Sequence, residues 1–114
     1  MKFATKRSKA CEFSRETRER IAERDGGCVF CQIYFKLPPH PMRATDIMHI
    51  IPRSQGGLGI EQNGVLGCRW HHEMMDNGYK GERPSMIAYL KEYMKRNYPD
   101  WDESKVTYKK GATR

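Results

Sequence analysis

At 114 residues, with 38% apolar and 31% charged residues, the chain has room for one small domain with a modest core that a metal cross-link would help. The excess of 21 Lys+Arg over 14 Asp+Glu gives a net charge of +7, a field that suits a polyanionic partner such as nucleic acid. No run is apolar enough for a membrane span, and Lys6-Arg7-Ser8-Lys9 leads into Cys11-Glu12 instead of a secretory h-region, so a cytoplasmic protein with no membrane partner is expected.

In chain order, residues 1–12 are basic and expected to be loose, 13–79 carry the motifs, and 80–114 read as a helix and basic tail packing on that core. Ser14 is placed to cap a helix through Arg24 that ends at Asp25-Gly26-Gly27, a charged helix with a narrow apolar seam. The glycines then allow a tight knuckle at Cys28 and Cys31. Three prolines between Tyr34 and Arg43 predict a surface loop, with His40 exposed in it. Asp46 to Ile51 and Val65-Leu66 predict two short strands of an antiparallel ribbon on either side of the Gly56-Gly57 loop. A helix follows from Arg69 to Asp76, stopped by Asn77-Gly78. Pro84 opens the last helix, where Met86, Ile87, Leu90, Tyr93 and Met94 form a core stripe ended by Asn97 and Pro99. Helices around a ribbon make the fold class α+β.

The spacing of thiols and imidazoles carries the chemistry. Cys28 and Cys31 present two thiolates from one turn, and Cys68 with His71 repeats the two-residue gap from a second turn, together a Cys3His set for a structural Zn2+. In a reducing compartment such thiols favour metal over disulfide, and Cys11, without a neighbouring partner, is expected as a free thiol. Successive helical side chains point about 100° apart, so His72 faces away from that metal when His71 faces it. Asp76, four residues later, shares the face of His72 and is a candidate to share a second metal ion with it.

Three segments, in this order, resemble the HNH endonucleases of the ββα-metal (His-Me finger) class, and within it the small zinc-knuckle proteins of phages and mobile elements: Ile21-Ala22-Glu23-Arg24-Asp25-Gly26-Gly27-Cys28, then His49-Ile50-Ile51-Pro52-Arg53-Ser54-Gln55-Gly56-Gly57, then Asn63 with His72. The resemblance spans residues 13–79. It implies a ββα-metal core with a zinc knuckle, flanked by an N-terminal and a C-terminal helix. It further implies that His49 is the general base, Asn63 the central asparagine and His72 a ligand of a catalytic divalent ion, Mg2+ or Mn2+. Asn63 would either hold the loop carrying His49 or reach the metal through its amide oxygen. The expected activity is hydrolysis of DNA phosphodiester bonds, in phage or mobile-element DNA processing beside a larger protein from the same source. Arg53, stiffened by Pro52, and Arg69 are candidate phosphate contacts.

One position departs from the family. The residue before the base is ordinarily an acidic or histidine metal ligand, and here it is Met48, whose thioether suits a hard cation poorly. Asp46 is the nearest substitute. It shares a strand face with Met48 but lies about 7 Å away along it, further than a short carboxylate readily makes up. This departure keeps a second reading open, a catalytically weakened DNA-binding or packaging-complex module that retains the zinc-supported fold.

Overall fold

The computed structural model describes residues 5–40, 46–77 and 81–109, apart from the Asn77 side chain, and they form an α+β arrangement around one two-stranded antiparallel ribbon. The expected loop at 41–43 and the expected stop at Gly78 lie outside the described residues.

Where loose chain is expected, residues 6–10 form helix α1 (Lys6–Ala10), capped by Thr5, whose hydroxyl accepts from the Ser8 N–H at 2.9 Å. No residue of α1 is buried, so polar contacts to a distant loop hold it. Arg7 donates to the carbonyls of Arg53 at 3.1 Å and Ser54 at 2.8 Å, and the Gly59 N–H donates to the Ala10 carbonyl at 2.9 Å. Such contacts leave no periodic apolar signal in the sequence.

Helix α2 (Arg15–Asp25) begins and ends as its sequence predicts, with the Ser14 hydroxyl accepting from the Thr17 N–H and Gly26 closing the helix at φ 71°. Its charges are not all solvated. Arg24 and Asp25 pair at 2.7 Å, with Asp25 only 4% exposed. The pair is satisfied by the backbone it touches: Arg24 donates to the carbonyls of Glu61 and Gly64, while Asp25 accepts from the Leu66 N–H at 2.8 Å and the Tyr93 hydroxyl. Burial alone would weaken the charge on Arg24, but hydrogen bonding to Asp25 and its negative field outweigh burial and raise the guanidinium pKa. Removing one partner would leave a buried charge alone, a cost of about 3–5 kcal/mol.

The knuckle turn continues into helix α3 (Val29–Phe35), so the predicted loop begins two residues later than Tyr34, at Lys36 in the left-handed region at φ 53°. Strands β1 (Asp46–His49) and β2 (Gly64–Gly67) pair with Met48 opposite Val65 and Ile47 opposite Leu66. Alternation then separates two apolar clusters. Met48 and Val65 join Phe30, Met75 and the stripe of the last helix, whereas Leu66, with Ile47 against it, meets Phe13 and Ile21. Helix α4 (Arg69–Asn77) follows β2 directly, and helix α5 (Arg83–Asn97) carries Pro84 in its first turn. Met86, Leu90 and Met94 of α5 are fully buried, each contributing about 1.5–3 kcal/mol of apolar burial. Trp101 anchors the following segment through its indole N–H, 2.7 Å from the Gln62 carbonyl. Among the described residues, no helix is long and apolar enough to cross a membrane.

Candidate functional site

The four residues chosen by spacing come together. Cys28 caps the start of α3, Cys31 lies one turn into it, Cys68 ends the approach to α4, and His71 sits in the first turn of α4. The His71 Nδ1 lies 3.5, 3.7 and 3.2 Å from the Sγ atoms of Cys28, Cys31 and Cys68, and the Cys31 and Cys68 sulfurs are 4.0 Å apart. A tetrahedral zinc with Zn–S near 2.3 Å and Zn–N near 2.0 Å requires S···N edges of about 3.5 Å and S···S edges of about 3.8 Å, so the donors are spaced to hold a structural metal such as zinc. The chemistry agrees. Burial and the neighbouring Cys28 and Cys68 push the Cys31 thiol up to about 12, so ionising this group needs a cation, and burial likewise lowers the pKa of His71, keeping its nitrogen free to ligate. Phe30, Tyr34, Phe35 and Trp70 surround the His71 ring with centroids 5.0–6.0 Å away.

His72 turns away from this centre, as helical geometry requires. Its Nδ1 is 3.0 Å from Asp46 Oδ2 on β1, and its Nε2 is 3.0 Å from Asp76 Oδ2 one turn along α4. The three side chains are 30%, 42% and 59% exposed, and the carboxylates lie against different nitrogens of the ring, so they bracket His72 rather than converge on one point as the Cys3His donors do. The reach that sequence spacing denies to Asp46 is not needed. Helix α4 leaves the sheet at Gly67, the residue paired with Asp46, so His72 comes to the carboxylate. Met48 cannot stand in as a ligand, because it is 1% exposed and its thioether fills the space above Gly67.

His49 closes β1 with its ring 4.4 Å from that of Phe13. Its Nε2 lies 2.7 Å from the Cys11 carbonyl oxygen, which can only accept, so Nε2 carries the proton and Nδ1 is the basic nitrogen. Burial lowers its pKa more than this hydrogen bond raises it, and the positive charges of Arg53 and Arg18 lower it further. Alternation places His49 on the face of β1 opposite Asp46, and no contact joins it to His72 among the described residues.

Asn63 is fully buried and fastens the loop after β1. Its Oδ1 accepts from the Ile51 N–H at 2.8 Å, while Nδ2 donates to the carbonyls of Ile51 at 3.2 Å and Leu58 at 2.9 Å. Of the two roles open to it from sequence, loop holding is the one these bonds perform. A Cβ on Gly57 would fall 1.6 Å from the Ile51 carbonyl oxygen, so only glycine lets the loop close on this amide.

Arg53 is exposed near His49, in the short 3₁₀ turn Arg53–Gln55, with a long 3.4 Å contact to the Ser8 carbonyl. Arg69 is also exposed, but weakly paired with Glu73 at 3.9 Å. His40 is exposed and Cys11 is a buried free thiol. Sequence reasoning missed three contributors: the Cys11 carbonyl, the Phe13 ring and Arg7. It also missed the Arg24–Asp25 pair, although Ile21, Arg24 and Asp25 share one helical face, and that spacing was the available signal. No family model matches the chain, and neither the curated proteins nor the solved structures include a match to it.

Proposed function

We propose that the chain is a metal-dependent DNA endonuclease of the HNH type, with a ββα-metal core formed by β1, β2 and α4. The observation that carries this reading is that His72 meets Asp46 on the strand that also bears His49, so a carboxylate–imidazole pair and a second, half-buried imidazole share one short ribbon. Asp46 lies against Nδ1 of His72 and Asp76 against Nε2, so a Mg2+ or Mn2+ ion would be held by the Asp46 carboxylate with His72 Nδ1, substrate and water completing its shell, while Asp76 orients the ring from the other nitrogen. When bound there, such an ion supplies charge for the phosphate and departing oxygen. The chain's own residues do the rest. His49, held by the Cys11 carbonyl in the Nε2–H form, takes the proton of the attacking water at Nδ1. Phe13 and the Asn63-bound loop restrain the ring and its surroundings. The Cys3His centre, by fixing the start of α4, fixes where His72 points.

The opposite-face placement of His49 and Asp46 favours a second reading, a DNA-binding module that does not cut. Nicking of supercoiled plasmid with added Mg2+ or Mn2+, stopped by excess chelator and reduced on the order of 10²-fold or more in His49→Ala, is the expected result. Plasmid binding without nicking at any divalent-ion concentration would leave the binding module as the function.

A further inference from the structure

An open groove of about 280 Å³ lies between α1 and the turn after β1, lined by Thr5, Arg7, Ser8, Cys11, Arg53 and Ser54. We propose that this groove is a subsite for a DNA backbone phosphate flanking the one to be cut, with Arg7 and Arg53 as its two cationic walls.

Position is the first argument. Cys11 both lines the groove and holds His49 through its carbonyl, so a phosphate seated there lies next to the base along the chain of contacts. Charge is the second. Neither Arg7 nor Arg53 has an ion-pair partner among the described residues, unlike Arg24, Arg15 and Arg69, and both guanidinia are tethered by uncharged carbonyls that leave their charge uncompensated. The remaining donors are the third. A guanidinium has five N–H groups, and both of these arginines are held through Nη2 alone, leaving Nε and Nη1 to face an anion. Arg7 reaches the Arg53–Ser54 segment through two bonds, so that wall is set before a ligand arrives, which lowers the entropy lost on binding, while Arg53, with only the long Ser8 contact, is free to turn onto the anion. The hydroxyls of Thr5, Ser8 and Ser54 add neutral donors of the kind that accompany phosphate contacts.

The subsite rests on the reading of the chain as a protein that acts on DNA, and its test needs no cleavage. Affinity for a short DNA duplex is measured against salt concentration without added Mg2+ or Mn2+, for the parent chain, Arg7→Ala, Arg53→Ala and, outside the groove on α5, Arg96→Ala. Each groove substitution should weaken binding by about 3–10-fold at 0.1 M salt and reduce the log-log salt slope by about one, with Arg96→Ala close to the parent. Should Arg7→Ala loosen α1 and lower the melting temperature, Arg53→Ala decides the matter, since its side chain makes only the 3.4 Å contact. Unchanged affinity and slope in a fully folded Arg53→Ala protein overturn the subsite. A protein that loses affinity through both arginines yet nicks no plasmid keeps the subsite and loses the nuclease reading. One that nicks plasmid and binds duplex at parental affinity with both arginines removed loses the subsite alone.

Discussion

His71 and His72 are consecutive in α4, yet one is 1% exposed among three sulfurs and a wall of aromatic rings, while the other lies 30% exposed between two carboxylates. Thiolates surround the inner imidazole, where a metal can take the place of a core, and carboxylates bracket the outer one, where water has access. The contrast shows how one helical turn divides two jobs. A rotation of about 100° between neighbours sends the first imidazole to α3 and the second to β1. The inner centre and the outer pair share the first turn of α4, a helix that buried Met75 also ties to the core.

The most drastic way to break that division is to remove the inner metal. The purified chain should carry one tightly held zinc by elemental analysis, and Cys31→Ser or prolonged chelation should abolish cooperative thermal unfolding followed by circular dichroism. A structural zinc contributes on the order of 10 kcal/mol, comparable with the whole stability of a small domain. A well-folded protein with substoichiometric zinc would contradict this assignment.

Breaking the outer group should spare the fold. His72→Ala removes a side chain that is 30% exposed and Asp46→Asn only neutralises one that is 42% exposed, so their melting temperatures should stay within a few degrees of the parent, as for surface changes of about 0.5 kcal/mol. Nicking should instead require much more Mg2+ or Mn2+, or fail. Met48→Asp does not restore a ligand in this structure, because it places a carboxylate at a 1% exposed position in the main core; it should unfold the protein more readily than either outer change. Full nicking by His72→Ala at low metal concentration would show that the catalytic ion is held elsewhere.

The smallest effect sharpens the base. A general base works in its neutral form, and burial with the fields of Arg53 and Arg18 moves His49 below the ordinary histidine pKa of about 6.5. Nicking should therefore persist as pH falls through 6.5 and decline only as pH passes through the depressed value. Linkage has the same sign: protonation of the unfolded chain near pH 6.5, before the folded chain, withdraws a small part of the stability as pH drops. An activity midpoint above 6.5 would assign the proton transfer to another group.

Local chemistry made much of this protein legible before any tertiary contact was known. The two-residue gaps at Cys28/Cys31 and Cys68/His71 bring two donors together within single turns, so their joint use needed only that the turns meet. Ser14, Gly26 and Pro84 marked helix ends through hydrogen bonding and backbone freedom that act over a few residues. The stripe of α5 told which of its side chains enter the core, whereas the burial of Met48 on β1 was not read from the sequence.

Contacts between residues far apart in sequence were decided only by the tertiary structure. Asp46 and His72 lie 26 residues apart, and Cys11 and His49 lie 38 apart, so no periodicity links them. The charged end of α2 looked solvated because Arg24 and Asp25 are buried by β2, Tyr93 and Tyr98, none of which is near them in the chain. Helix α1 was invisible for the same reason, being held by carbonyls more than 40 residues away. Sequence alone determined which chemical groups the chain possesses and the local turns that present them. Packing of the ribbon against α2, α4 and α5 determined which groups meet, because backbone carbonyls and buried charges acquire partners only when distant segments close around them.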